Sequence, residues 1–189
     1  MSRDWNALSV THRLLAAHVK PGSFAIDATA GNGGDTAFLC RLVGEGGRVL
    51  AMDIQPQAVE NTRARLLAEG LADIGQVVLA DHARLGQRVP PESADCIVFN
   101  FGWLPGGDHE VFTRKETSVP AVRQALESLR PGGIRPLCLY YGRTNGYQER
   151  DALLELVRGL DHRRFTVMEV SFSNRVNAPP IPIWIVKEG

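Results

Sequence analysis

Short apolar runs and amphipathic stretches take turns along almost the whole chain, and this alternation restricts the fold more than any other feature. A short apolar run bounded by turn residues reads as a buried strand, and a 3.6-residue apolar period reads as a helix packed on one face. Strand and helix in regular succession give βα units, which bury a mostly parallel sheet between two helical layers. The pattern predicts a leading helix over 9–19 and strands at 23–28, 48–52, 75–80, 95–100 and 134–141. Helices are predicted over 35–43, 56–69, 117–130 and 147–159, with Pro56 in a first turn, where no intrahelical donor is lost. Two last strands, 164–172 and 181–187, have no helix between them and predict an antiparallel hairpin at one edge. The expected fold class is α/β and Rossmann-like: seven strands, mostly parallel, with helices on both faces. A single domain is expected over 1–189, with 1–20 as an N-terminal helical segment.

Composition narrows the classes of function. The 189 residues, 44% hydrophobic and 22% charged, suit one folded domain and are few for two. No apolar run approaches the roughly 20 residues that span a bilayer, and Met1-Ser2-Arg3-Asp4-Trp5 lacks a signal-peptide pattern, so no membrane is expected. Cys40, Cys96 and Cys138 are scattered through apolar segments without CxxC pairing. They read as core thiols in a reducing compartment, with no metal site and a cytoplasmic address. A formal net charge of zero gives no support to a strongly basic nucleic-acid surface, although a local arginine cluster stays compatible with it.

The segment Asp27-Ala28-Thr29-Ala30-Gly31-Asn32-Gly33-Gly34-Asp35-Thr36 joins the first strand to its helix. Glycines at such a junction let the backbone approach a ligand and adopt positive φ. Asp53, at the end of the next strand, is placed to accept both ribose hydroxyls of a nucleoside. A dinucleotide site needs G-x-G-x-x-G to seat a pyrophosphate on the helix N-terminus. Here the third glycine position is Thr36, and acidic Asp35 stands where phosphate oxygens would need donors. The loop therefore favours a zwitterionic, sulfonium-bearing ligand, S-adenosylmethionine, over NAD.

Asp81-His82 ends the third strand, where an adenine ring would lie; Asp81 either accepts the adenine amino group or caps the next short helix. The fourth strand ends in Asn100-Phe101-Gly102-Trp103-Leu104-Pro105-Gly106-Gly107-Asp108, facing the donor methyl. Asn100 is a candidate to orient a target N–H. Trp103 either stacks on a base or belongs to the core. The rigid Leu-Pro-Gly-Gly turn presents Asp108, and His109 beside it is either a proton acceptor or a solvated loop residue. His12, His18 and His162 are assigned no role. Arg84, Arg114, Lys115, Arg143, Arg150, Arg163, Arg164 and Arg175 are candidate phosphate contacts.

Five βα units and a terminal hairpin are the layout of the class I methyltransferase sheet. The motifs DATAGNGGDTAFL, DIQPQAV, NFGWLPGGDH and NRVNAPP together resemble the YtqB/MnmM family over about Thr11 to Val186. The N-x-G-x-L-P-G-G-D loop is the most specific part of the likeness. The resemblance implies an N-methyltransferase that uses S-adenosylmethionine. Its substrate would be the 5-aminomethyl group of wobble (2-thio)uridine in tRNA, and its product the 5-methylaminomethyl nucleoside. It implies cofactor contacts at Asp27, Ala28, Thr29, Gly31, Asn32, Gly33, Asp35 and Thr36, at Asp53, Ile54 and Gln55, and at Asp81, His82 and Asn100. Asn100 and Asp108 are the expected catalytic residues. Gly102, Trp103, Asp108, Arg114, Arg143, Asn174, Arg175 and Asn177 are the expected substrate contacts. The expected partner is the anticodon region of tRNA, and a homodimer is compatible with the reading. Two segments depart from the family: Asp81-His82-Ala83-Arg84, where it tends to have Asp-Ser-His-Glu, and Tyr140-Tyr141-Gly142-Arg143, where it tends to have Tyr-His-Gly-His. The rival readings are methyl transfer to rRNA or to a small-molecule amine, and a nicotinamide-dependent oxidoreductase.

Overall fold

The computed structural model describes residues 5–102, 112–141, 144–176 and 178–189. Helix α1 (Ala7–His18) starts at a capping box. Asn6 Oδ1 accepts the Ser9 amide at 2.8 Å, and the Ser9 hydroxyl accepts the Asn6 amide at 2.9 Å. Then come β1 (Phe24–Asp27), α2 (Gly34–Val43), β2 (Arg48–Asp53), α3 (Pro56–Ala68) and β3 (Gly75–Leu79). A short 3₁₀ helix (His82–Gln87) leads to β4 (Ala94–Phe101), α4 (Lys115–Ser128), β5 (Leu129–Leu139) and α5 (Thr144–Arg158). The antiparallel pair β6 (Phe165–Glu169) and β7 (Ile181–Lys187) completes one seven-stranded sheet in the order β3-β2-β1-β4-β5-β7-β6.

Strands β1 to β5 pair in parallel, and β7 runs antiparallel to both β5 and β6. This is the α/β, Rossmann-like class I methyltransferase fold. Alternate strand residues feed two cores, as the two-residue period of a pleated strand requires. Ile26, Ile97, Phe99 and Leu137 pack with Val122, Ala125 and Leu126 of α4 and Leu153 and Val157 of α5. Ala25, Val49, Cys96 and Val98 pack on the other face with Leu15 of α1, Leu39 and Val43 of α2, and Leu66 of α3. The three cysteines are buried, and burial raises the thiol pKa of Cys40 to about 11 and of Cys138 to about 12. No helix among the described residues is long and apolar enough to cross a membrane.

Element edges differ from the sequence expectation in places. The helix expected to reach residue 130 ends at Ser128, and β5 already pairs Leu129 with Ala94 before its register shifts to Ile134 opposite Cys96. Pro131-Gly132-Gly133 therefore forms a bulge inside the strand and not a turn before it. Gly132 has φ 75°, and a Cβ at Gly133 would lie 2.8 Å from Leu129 Cγ. The strand expected over 164–172 stops at Glu169.

Candidate active site

The sheet order reverses between β1 and β4, which leaves a crevice beyond the carboxyl ends of the strands. The glycine loop after β1 lies across it. Ala28 donates its N–H to Val98 O and Ala30 to Met52 O, both at 3.0 Å, so the loop is anchored to both neighbouring strands. Gly31 and Gly33 have φ of 54° and 75°, and a Cβ on Gly33 would lie 3.0 Å from the Thr62 backbone. Glycine at position 33 is thus required twice, by its φ and by the approach of α3.

Asp53 ends β2 with its carboxylate already engaged. Oδ2 accepts the Gly31 N–H and Oδ1 the Gln55 N–H, each at 2.9 Å. A carboxylate has about four acceptor positions, so two remain for ligand hydroxyls. Asp81 lines the crevice and also caps the 3₁₀ helix, accepting the Ala83 N–H at 2.8 Å, as the capping reading expects. His82 is buried with its ring edge against Phe99 and Phe101. Burial lowers its pKa, which favours the neutral imidazole.

At the end of β4 the Asn100 backbone N–H donates to Thr29 Oγ1 at 2.7 Å, and its side-chain Nδ2 donates to Asp35 Oδ2 at 2.7 Å. An ionised carboxylate only accepts, so the amide nitrogen must face Asp35, and Asn100 Oδ1 is the acceptor that has no partner among the described residues. Asp35 Oδ1 in turn meets His12 Nε2 at 2.6 Å.

Two cavities meet at this point. The first, of about 320 Å³, is bounded by Ala28, Thr29 and Gly31, by Asp53, Ile54 and Gln55, by Asp81 and His82, and by Phe112, Thr113, Arg114 and Thr117. The second, of about 410 Å³, is bounded by Leu8 of α1, the loop from Thr29 to Asn32, Gly34, Asp35 and Tyr140. Thr29, Gly31, Asn100 and Gly102 line both. Each is of a size usual for a small-molecule site.

Several expected site residues sit elsewhere. Asp27 and Thr36 are fully buried and line neither cavity; Thr36 Oγ1 donates to Asp27 Oδ2 at 2.6 Å, and the pair braces the loop from beneath. Gly33 packs on Thr62 and also lies off both cavities. Arg114 stands on the wall of the first cavity, its guanidinium 4.9 Å from the Phe112 ring centre. Asn174 and Arg175 line neither cavity, and Arg175 donates to the backbone oxygen of Trp5. Trp103, Asp108, His109, Arg143 and Asn177 lie outside the described residues. The structure also brings in residues that sequence reading missed: Leu8 and Tyr140 at the second cavity, Phe112, Thr113 and Thr117 at the first, and His12 behind Asp35. Leu8 and His12 are four residues apart on α1, a spacing that marks a shared face but not what the face meets.

Comparison with known proteins adds three relatives and a family. The family described as "Putative rRNA methylase" matches residues 49–186. The "tRNA (mnm(5)s(2)U34)-methyltransferase, chloroplastic" of Arabidopsis thaliana is 32% identical over 191 residues, covering 96% of this chain and 70% of the relative. A crystal structure of a "putative rRNA-methylase" from Clostridium thermocellum superposes with a TM-score of 0.94 at 39% identity, covering 97% of this chain and 98% of the other. A Streptococcus mutans "putative methyltransferase in complex with SAH" superposes with a TM-score of 0.87 at 35% identity, again covering 97% and 98%.

Proposed function

This chain belongs to the "Putative rRNA methylase" family, and from that premise we propose that it is an S-adenosylmethionine-dependent N-methyltransferase of tRNA. Its reaction is methylation of the 5-aminomethyl group of wobble (2-thio)uridine to 5-methylaminomethyl, the position and chemistry named for the Arabidopsis relative. The observation that carries the reading is the orientation of Asn100: Asp35 holds its amide nitrogen at 2.7 Å, and its oxygen remains to receive an amine N–H where the two cavities join.

The first cavity fits the methyl donor. Asp53 has acceptor capacity for two ribose hydroxyls, half-exposed Ile54 offers an apolar surface for a purine, and Asp81 on the same cavity would accept from its amino group. The first turn of α2, after the glycine loop, carries Asp35 where a dinucleotide pyrophosphate would require N–H donors, which weighs against the oxidoreductase reading. When bound, S-adenosylmethionine supplies an electrophilic methyl group on a positively charged sulfur. The protein's own task is to deliver a neutral amine. An alkylammonium has a pKa near that of lysine, about 10, so most of the substrate carries a proton at neutral pH. Asn100 Oδ1 accepts one N–H of the neutral amine and aims its lone pair, while Asp108 recruits the ammonium and passes its proton to water.

The reading carries with it the anticodon region as the tRNA contact and the cytoplasm as the compartment. The reading assigns Arg114, Arg143 and Arg175 to flanking phosphates, and Gly102, Trp103, Asn174 and Asn177 to substrate contacts. Elution against the 20.7 kDa monomer mass decides whether the protein acts as a homodimer. The test of function is nucleoside mass spectrometry of tRNA from a strain lacking the gene. Accumulation of the 5-aminomethyl nucleoside at the expense of the 5-methylaminomethyl one is expected. Unchanged tRNA with an rRNA methyl group missing would overturn the proposal in favour of the rRNA reading.

A further inference from the structure

We propose that His12 is a positioning residue for methyl transfer, acting through Asp35 on Asn100; the inference rests on the acceptor role of Asn100 given above. Three side chains from three separate elements form one line. His12 on α1 meets Asp35 Oδ1 at 2.6 Å, and Asp35 on α2 meets Asn100 at the end of β4 through Oδ2 at 2.7 Å. Asp35 is nine-tenths buried and stands in the first turn of α2, where the helix N-terminus favours a negative charge. Because the carboxylate accepts on both oxygens, His12 carries its proton on Nε2, and the Asn100 nitrogen is committed to the other side.

The chain of reasoning concerns orientation, not proton transfer. An Asn amide can present either its oxygen or its NH₂ to a ligand, and only the oxygen can accept from an attacking amine. Asp35 selects the oxygen. Asp35 alone, linked at one oxygen only, is free to turn about its own χ2, and Asn100 turns with it. The His12 N–H fixes the second oxygen and so removes that freedom. His12 is itself held: its ring stacks on Phe38 with centroids 3.9 Å apart and planes 5° from parallel. The neighbouring Leu8 places α1 along the second cavity, so the helix contributes both a wall and this support.

Stacking and hydrogen bonding can be separated by substitution. His12→Phe keeps a ring on Phe38 and removes the donor, whereas His12→Gln loses the stack and retains an N–H near the Nε2 position. Steady-state kinetics with tRNA should show His12→Phe lowering kcat about ten- to a hundredfold, the range expected for a misplaced reacting group, with donor Kd unchanged. His12→Gln should recover most of that loss. In an Asp35→Asn background, where the link is already broken, His12→Phe should cost nothing further. Wild-type kcat in His12→Phe, or an equal loss in His12→Phe and His12→Gln, would overturn the positioning role. A readout independent of activity is the Asn100 side-chain NH₂ resonance in the free protein, expected to shift in His12→Phe and return in His12→Gln. If the wild-type protein methylates no tRNA but the resonance behaves so, the functional reading fails and the linkage stands. An unmoved resonance overturns the linkage itself.

Discussion

Asp53 Oδ2 accepts the backbone N–H of Gly31 at 2.9 Å, so the carboxylate after β2 and the glycine loop after β1 are one preorganised unit. A ligand that uses Asp53 therefore meets an acceptor whose position is already set by the loop it also touches. Replacing Asp53 by Ala removes charge-assisted hydrogen bonds of about 1.5–3 kcal/mol, and affinity for S-adenosylmethionine and its demethylated product should fall about tenfold to a hundredfold. Calorimetry is the check; wild-type affinity in the variant would remove Asp53 from the site.

Asn100 and Asp108 are assigned to the acceptor, and the prediction separates them from Asp53. Asn100→Ala and Asp108→Ala should lower turnover far more than donor affinity, since an interaction made chiefly in the transition state is lost from kcat. Parallel titrations and rate measurements test this. A loss of donor binding in proportion to activity would remove the residue from the acceptor role.

The buried Asp27 gives a pH-dependent stability. Burial, with the negative charge of Asp35 next and Asp53 last, raises its pKa from 3.8 to about 7 against the opposing bonds from Thr36 and Thr29. The folded state then binds a proton that the unfolded state has released, so this group's contribution to stability falls as pH rises from about 4 to about 7 and is constant above. Asp27→Asn keeps an oxygen for the Thr29 N–H and removes the titration. Its melting temperature relative to wild type should climb between about pH 4 and pH 8, by the equivalent of a few kcal/mol at most. A difference independent of pH would show that Asp27 titrates normally.

Much of this site was legible in the sequence because chemistry in a parallel sheet gathers at strand ends. Asp53, Asp81 and Asn100 follow apolar runs, and the structure sets all three around one cavity. What the local pattern could not tell is which way a motif residue faces. Asp27 and Thr36 belong to the same glycine segment as Gly31, yet they point beneath it into the core. Nor could it show His12 against Asp35, because that contact depends on how α1 crosses the end of the sheet. Pro131-Gly132-Gly133 falls between the helix expected to 130 and the strand expected from 134, yet lies inside β5, for a related reason. A bulge inside a strand and a turn before one demand the same residues.

Glu149 on α5 links the wall of the first cavity to the helical layer. Its carboxyl accepts from Thr113 Oγ1 at 2.9 Å and from the Ser118 hydroxyl, and burial raises its pKa. Glu149→Ala should free the segment holding Thr113, Arg114 and Thr117 and weaken donor binding about three- to tenfold, equivalent to roughly 1 kcal/mol. Melting temperature should fall as well. Unchanged donor affinity would detach that wall from the binding site.

Arg135 is fully buried on β5. Its Nη1 donates to Val122 O at 2.6 Å and its guanidinium lies 5.1 Å from the Phe99 ring centre, but Nε and Nη2 find no partner among the described residues. Burial lowers its pKa to about 9. Because a buried charge without full pairing costs stability, Arg135→Met should leave the melting temperature unchanged or raise it, with activity retained. A clear loss of stability in thermal denaturation would show that the guanidinium is compensated.

The central claim is transfer of a methyl group to a wobble aminomethyl uridine, and one incubation tests it most directly. Purified protein, isotope-labelled S-adenosylmethionine and tRNA carrying the 5-aminomethyl (2-thio)uridine are combined, and the digested nucleosides are resolved by mass spectrometry. The account predicts label in the 5-methylaminomethyl nucleoside and none in unmodified uridine. Label on rRNA or on a small amine, with the aminomethyl nucleoside untouched, would contradict it.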